Sequence, residues 1–159
     1  MLEAPAVKEV QWVSRGQLIG YCGTSGNSTG PHAHYDIFNT DKRGWYLYTH
    51  GMKYDAVKAL FSDPNPYIEA KVPMENTFPH AGYGYMQWVR SGGGYWHPGI
   101  DLNGIKDLGK PLYAPVSGRV RHVESPRWYR NWLKRLVKDE YGHGFGNFVV
   151  IEQAPDFKL

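Results

Sequence analysis

The sequence predicts a mainly β protein with a minor helical part. Glycine, proline and tyrosine are abundant, with 19, 11 and 12 residues among 159, and this composition favours short strands joined by tight turns. Apolar residues also alternate with other residues in several short runs, as they do on a half-buried strand. The length suits one domain with its own hydrophobic core, so residues 1–159 are treated as a single domain.

The first half of the chain predicts, in order, a strand over residues 10–13, a strand over 18–22, a loop over 23–31, a strand over 33–38 and a short helix over 54–61. The loop follows from a run of glycine, serine, threonine and asparagine, which favour turns and local side-chain bonds. The helix is stopped by a Ser-Asp-Pro sequence. The second half predicts an irregular lead-in or linker over 70–96, alternating strands over 111–124 and a strand over 145–152.

One longer helix is predicted over residues 126–140. Trp128, Trp132 and Leu136 are spaced four residues apart, and a proline suits the first helical turn. Five basic residues occupy other positions of the segment: Arg127, Arg130, Lys134, Arg135 and Lys138. Two interpretations stay open: a surface helix packed on the sheet, or a helix that contacts an anionic polymer or a membrane surface.

Charge and cysteine content exclude several classes of function. A net charge of +3 suits an acidic surface such as a bacterial wall, but it is too small to indicate nucleic acid as a partner. The single cysteine, Cys22, excludes an internal disulfide, and its apolar neighbours indicate a small buried side chain. We expect no signal peptide and no transmembrane segment, because no basic region precedes an apolar run of sufficient length.

Two pairs of residues offer ligands for a metal ion. His32 and His34 lie two apart on a predicted strand, so they project to the same side. His97 and Asp101 flank a proline and a glycine that argue against a helix, so they must converge through an extended or turning backbone. Two imidazoles and one carboxylate form a ligand set for Zn²⁺ with one position open for water. Each pair alone is weak evidence, since polar residues are also common on strand edges.

Four segments together resemble the lysostaphin-type (LytM-like) zinc endopeptidases. Residues 16–37 are similar to the second signature of that family, and residues 97–120 to the first. Residues 144–152 are similar to the strand that follows the first signature, and residues 63–68 to the closing segment. Agreement of four segments by chance is hard to credit, although any one motif carries a risk of a false match.

The resemblance implies a zinc enzyme that cuts the peptide stems or cross-bridges of bacterial peptidoglycan, on a small antiparallel β-sheet with a groove. It implies that His34, His97 and Asp101 hold the zinc ion, and that His32 polarises the water or the transition state. Peptidoglycan peptides are the expected partner, and the cell wall, outside the cytoplasm, is the expected place of action. Candidate substrate-binding residues in the loop are Asn27, Ser28 and Thr29.

The two halves stand in reversed order relative to that family. Residues 1–69 resemble its C-terminal half and residues 70–159 its N-terminal half. Two explanations stay open: a circular permutation, or a segment cut from a tandem array. In the second case the halves pair within one chain or by exchange in a dimer, so both a monomer and a domain-swapped dimer are compatible.

The reversed order also has a catalytic consequence. Family members carry a histidine in a Tyr-x-His-Leu segment between the halves, and that segment has no counterpart here. Losing such a group commonly costs ~10²–10³ in rate, so zinc binding can survive while turnover is impaired. His143 is a candidate substitute, with a surface-loop histidine as the alternative. An inactive wall-binding or regulatory module is therefore the second functional hypothesis. The histidines that match no catalytic position are His50, His80 and His122.

Overall fold

The computed structural model describes residues 2–25, 30–39, 49–70, 74, 77–79, 82–90, 93–124, 127–130, 136–139 and 147–154. About 45% of the structure is strand and 12% is helical, which confirms the prediction of a mainly β protein. The two helices are α1 (Tyr54–Leu60) and α2 (Asn65–Ala70). Helix α1 lies where the sequence predicts a short helix, and its last turn passes directly into a strand.

All strand pairs in the described residues are antiparallel and form five small sheets. Strands β1 (Leu2–Pro5), β3 (Leu18–Cys22) and β10 (Pro111–Tyr113) pair in the order β1-β3-β10. Strands β2 (Trp12–Val13), β11 (Gly118–Glu124) and β14 (Phe148–Gln153) pair in the order β14-β11-β2. Strands β7 (Trp88–Val89) and β8 (Tyr95–Trp96) form a two-stranded sheet.

A four-stranded sheet carries the candidate site. It is built from β4 (Ala33–Phe38), β5 (Phe61–Ser62), β6 (Thr77–Pro79) and β9 (Gly99–Gly104), in the order β5-β4-β9-β6. Strand β4 comes from the first half of the chain and its neighbour β9 from the second half. Both halves of the chain therefore contribute to one sheet.

The described residues of the 126–140 segment do not form the predicted helix. The described backbone consists of two strands, β12 (Arg127–Arg130) and β13 (Leu136–Asp139), which pair with each other. A spacing of four residues fits a strand as well as a helix, because four is also a multiple of the strand period of two. Tryptophan, tyrosine and valine in this segment favour the strand. The described backbone therefore does not support a membrane-active helix in this segment.

The described part of residues 70–96 also contains more regular secondary structure than the predicted lead-in or linker implies. This segment contributes the end of helix α2 and strands β6, β7 and β8. Strand β6 pairs with β9, with Phe78 opposite Asn103. The many glycines indicated an irregular backbone. Strand β6, however, pairs with a strand that is distant in the sequence, and such pairing leaves no local sequence pattern.

The hydrophobic core consists of two clusters that share partners. One cluster contains Cys22, Ala33, Ile68, Met74, Ile100, Leu102 and Leu112. The other contains Val7, Val13, Ala114 and Val120. Ile19 and Val149 pack against both clusters and so connect them. The free cysteine, Cys22, is fully buried, as its apolar neighbours predict.

Alternation along two strands separates the core from the site. On β9, Ile100 and Leu102 belong to the core, so Asp101 between them projects from the opposite face. On β4, Ala33 and Tyr35 pack in the same core, so His34 also projects from the opposite face. Among the described residues there is no helix with the length and apolar character needed to cross a membrane.

Candidate metal centre

Two histidines and one aspartate converge on a small volume at the edge of the core. His34 Nδ1 lies 3.1 Å from Asp101 Oδ1, and His97 Nε2 lies 3.3 Å from the same oxygen. One nitrogen or oxygen atom of each of the three residues lies within 4.8 Å of the others. The structure therefore brings together the three residues named from the sequence as candidate metal ligands.

The register of the central sheet produces this convergence. His34 on β4 stands directly opposite Asp101 on β9. Directly opposed residues of an antiparallel pair project to the same face, so the two side chains meet without any local constraint. The rings of His34 and His97 contact each other edge to face, with centroids 4.7 Å apart. Packing thus restrains both imidazoles.

Backbone carbonyl groups fix the orientation of His97. Its Nδ1 lies 2.8 Å from the Gly99 carbonyl oxygen and 3.2 Å from that of Gly84. Carbonyl oxygens only accept hydrogen bonds, so Nδ1 carries the proton and donates it. Nε2 then faces Asp101 and is the nitrogen through which the ring would bind a metal ion. This is the arrangement that typically orients a metal-binding histidine.

The carboxylate of Asp101 is held by the segment around Tyr83. The backbone N–H of Tyr83 donates to Asp101 Oδ2 at 3.3 Å, and the N–H of Asp101 donates to the Tyr83 carbonyl at 2.8 Å. These contacts leave Oδ1 directed at the two histidines. Gly82 lies so close that a Cβ added there would be 2.5 Å from the Asp101 Cβ. Only glycine fits beside the carboxylate at this position.

Burial and hydrogen bonding shift the pKa values of Asp101 and His34 in opposite directions. Burial raises the pKa of Asp101, but hydrogen bonds from His34 and His97 lower it more and hold it well below the usual range. Burial lowers the pKa of His34, but the carboxylates of Asp101 and Asp36 raise it more, to about 9. Without a metal ion, His34 therefore carries a proton at neutral pH and forms an ion pair with Asp101.

His32 lies at the rim of the cluster. Its Nδ1 lies 2.9 Å from the Gly30 carbonyl, so Nδ1 donates and the lone pair resides on Nε2. That Nε2 lies 3.9 Å from Asp101 Oδ1, farther than the corresponding atoms of His34 and His97. Burial lowers the pKa of His32, and the hydrogen bond to Gly30 opposes this effect only in part. His32 is therefore neutral at pH 7 and lies beside the cluster.

The residues present fit a divalent metal ion. A neutral imidazole nitrogen from each of His34 and His97 and a carboxylate oxygen from Asp101 form a three-ligand set that leaves one position open. His97 would bind the ion through Nε2, the nitrogen that faces Asp101. His34 must lose the proton on Nδ1, and its Nε2 lies 3.4 Å from Asp36 Oδ2. A metal ion at these atoms would therefore displace the His34 proton.

Some residues of the site were not identified from the sequence. Asp36 follows His34 by two residues on β4, so the strand period was a signal that could have found it. Tyr83 and Tyr95 flank His97, with ring centroids 5.8 Å and 6.4 Å from its own. No local pattern connects Tyr83 with His97, because the contact arises from tertiary folding.

Several predicted residues lie outside the described part of the chain. They are Asn27, Ser28 and Thr29 of the proposed substrate-binding loop, the candidate substitute His143, and His80. Among the other histidines, His50 is exposed and its ring packs on Tyr95, with centroids 4.4 Å apart. His122 lies between Glu9 and Glu124 at 3.0 Å and 3.1 Å, which is consistent with a structural role.

One comparison with known proteins bears on this site. The family model described as Peptidase family M23 matches residues 1–45. The matched segment contains His32 and His34 and ends before His97 and Asp101. It supports the resemblance to zinc-dependent peptidases over about the first quarter of the chain. No curated protein and no solved structure matches the chain. The coarse class that the match and the ligand cluster indicate is a metal-dependent peptidase.

Proposed function

We propose that this protein is a zinc-dependent endopeptidase that cuts the peptides of bacterial peptidoglycan. The observation that carries the proposal is the convergence of His34, His97 and Asp101 within 4.8 Å. The family match over residues 1–45 and the resemblance of four segments to lysostaphin-type enzymes support the reaction class. The peptidoglycan substrate rests on that resemblance.

Zinc is the metal that best suits the donor set. Two imidazole nitrogens and one carboxylate oxygen are common ligands of catalytic zinc, whereas calcium and magnesium prefer sites made of oxygen atoms. When bound, zinc would polarise the scissile carbonyl and lower the pKa of water toward about 7. Hydrogen bonds orient the ligands before a metal ion binds. The Gly99 carbonyl orients His97, and the Tyr83 N–H orients Asp101.

His32 is the proposed general base. Its lowered pKa keeps Nε2 unprotonated at neutral pH. In this role Nε2 accepts a proton from the attacking water and later returns it to the leaving amine. The hydrogen bond from Nδ1 to Gly30 holds the ring in the tautomer that this transfer needs.

The proposed site needs only one chain. His34 comes from the part that resembles the family's C-terminal half, and His97 and Asp101 come from the part that resembles its N-terminal half. Their convergence within 4.8 Å in one chain supports a permuted domain that acts as a monomer. We propose that the protein acts at the bacterial cell wall, as a phage lysin does, and that nucleic acid is not a partner.

Hydrolysis of purified cell walls tests the proposal. The zinc-loaded chain should release peptide amino groups, and a chelator should abolish the release until zinc is restored. His34→Ala should abolish it as well. The matched control is His122→Ala, which removes a histidine from strand β11, in a different sheet. Zinc bound at one equivalent without any release of amino groups would contradict the proposal.

A peptidoglycan-binding module with little or no turnover is the second candidate. Asp101 forms an ion pair with His34 in the absence of a metal ion, with Nδ1 and Oδ1 3.1 Å apart. This candidate predicts that the chain binds walls equally well before and after chelation and releases no amino groups. Wall binding that depends on zinc would count against it.

A further inference from the structure

A second recess lies beside the metal centre. It is widely open to solvent and has a volume of about 490 Å³. Tyr85 and Met86 form one wall, and Tyr54 and Lys58 of helix α1 form another. The loop that supplies Tyr85 and Met86 also holds the metal centre, because the Gly84 carbonyl accepts from His97 Nδ1. One loop therefore links the recess to the candidate ligands.

Three aromatic side chains run outward from this recess. Tyr54 contacts Trp96 edge to face at 5.1 Å, and Trp96 contacts Trp88 at 4.9 Å between centroids. Tyr54 is 40% exposed and Trp88 is 46% exposed. Gly94 packs against the Trp88 ring so closely that a Cβ there would be 2.3 Å from it, which fixes the position of the indole. We call Tyr54, Trp96 and Trp88 the aromatic row.

Polar groups suited to hydroxyl ligands lie in the same recess. Ser62 Oγ donates to Asn39 Oδ1 at 2.6 Å, so this contact does not use the donor N–H₂ of the Asn39 amide. Asp63 accepts two hydrogen bonds from Asn65 through Oδ1, so its Oδ2 keeps acceptor capacity. An amide donor, a carboxylate acceptor and a hydroxyl thus line one recess next to exposed aromatic rings.

We infer that the recess and the aromatic row bind a pyranose ring of a glycan. A pyranose has apolar C–H faces that pack on aromatic rings, and its equatorial hydroxyl groups need donors and acceptors at the ring edge. The aromatic row supplies the first kind of contact, and Asn39 and Asp63 supply the second. This inference rests on the proposed function in one respect: that function makes the glycan strand of the cell wall the source of the pyranose.

The placement gives this subsite a role in substrate positioning. A peptide that is cut in a cell wall remains attached to a glycan strand. Binding of a sugar on one side of the loop at residues 82–87 would place the attached peptide near His97 and Asp101 on the other side. The site would then add affinity for wall-borne peptides over free peptides of the same sequence.

Binding of oligosaccharides to the chelator-treated chain tests the inference without involving hydrolysis. The probe is the tetramer of N-acetylglucosamine, measured by tryptophan fluorescence and by calorimetry. Cellotetraose tests whether the N-acetyl groups matter, and a sugar-free Ala-Glu-Lys-Ala peptide tests the competing occupant. We expect the N-acetylglucosamine tetramer to bind and the peptide to bind at least tenfold more weakly.

Substitutions then localise the binding. Tyr54→Ala and Trp88→Ala should each weaken tetramer binding about tenfold, as loss of one stacking contact does for other ring ligands. Tyr54→Phe keeps the ring and should bind as the unmodified chain does. The matched control is Trp12→Ala, which removes a tryptophan that is 58% exposed on β2. Circular dichroism and the melting temperature identify any variant that fails to fold, and if Tyr54→Ala does not fold, the loss of binding in Trp88→Ala is the test.

The outcomes separate this inference from the proposed function. Hydrolysis of cell walls without any tetramer binding would overturn the inference and leave the peptidase intact. Tetramer binding without hydrolysis would support the inference and contradict the peptidase. Equal loss of binding in Tyr54→Ala and Trp12→Ala would place the sugar elsewhere and overturn the assignment to this recess.

Discussion

His34 and Asp101 are separated by 67 residues in the chain and stand directly opposite each other across strands β4 and β9, with Nδ1 and Oδ1 3.1 Å apart. The site therefore exists only when these two strands are paired in register. A shift of one residue would turn His34 toward the core and bring an apolar neighbour to the site face. Metal binding is consequently coupled to folding of the sheet.

Zinc uptake should release protons at neutral pH. The pKa of His34 rises from an ordinary 6.5 to about 9 in the folded, metal-free chain, so Nδ1 must lose a proton before it binds zinc. Between pH 6.5 and 9 we expect release of about one proton per zinc ion. Calorimetry in buffers of different ionisation enthalpy measures this number. The Asp36→Asn control removes one of the two carboxylates and should move the window to lower pH.

The same shift predicts how the stability of the metal-free chain depends on pH. The folded chain holds the His34 proton more tightly than the unfolded chain does. This contribution to the free energy of unfolding is therefore complete below pH 6.5 and is lost as the pH rises through 9. Urea unfolding at pH 6 and pH 9.5 should show lower stability at the higher pH. His34→Gln should reduce that difference, and an unchanged difference would contradict the assignment.

His32→Gln should separate catalysis from metal binding. The substitution removes the lone pair at Nε2, and loss of a general base commonly costs about 10²–10⁴ in rate. His32 Nε2 is farther from Asp101 Oδ1 than the ligand atoms of His34 and His97, so zinc affinity should be unchanged. Wall hydrolysis and zinc titration measure the two effects. A parallel loss of zinc affinity would instead make His32 a metal ligand.

Gly82→Ala should disturb the Asp101 carboxylate. The new Cβ would lie 2.5 Å from the Asp101 Cβ and 3.2 Å from its Oδ2, so the side chain must move. Because groups that orient a ligand are worth about 10–100-fold in metal affinity, we expect a loss of that size. The control is Gly30→Ala, where nothing lies within 4 Å of the new Cβ. Equal zinc affinities of the two variants would refute this account.

Leu102→Ala should destabilise the sheet that carries the site. Leu102 is fully buried in the core directly behind Asp101, so the free energy of unfolding should fall by about 2–5 kcal/mol. The matched control is Leu108→Ala, because Leu108 is 60% exposed and its loss should cost less than about 0.5 kcal/mol. Denaturant unfolding measures both. A cost for Leu102→Ala as small as that of Leu108→Ala would mean that the core is packed differently.

The segment at residues 126–140, which was predicted as a helix, shows where sequence patterns are ambiguous. Trp128, Trp132 and Leu136 satisfy a helical repeat and a strand repeat equally well, and strand pairing of residues 127–130 with 136–139 decided between them. The strand at residues 33–38 carried no such ambiguity, because its alternation places His34 and Tyr35 on opposite faces in any strand. That local rule sufficed to predict that His32 and His34 share a side.

The sequence by itself determined the mainly β class and the strands at residues 18–22 and 33–38, because these follow from local alternation. The three candidate ligands were named from side-chain chemistry together with the family resemblance. Only the tertiary structure decided that His34 faces Asp101. It also decided that the Tyr83 N–H donates to the carboxylate and that Gly82 packs against it. The contact between the Tyr54 and Trp96 rings beside the site likewise arises from tertiary folding. The physical reason is that antiparallel pairing joins residues that are distant in the chain, and its register depends on burial of the whole core.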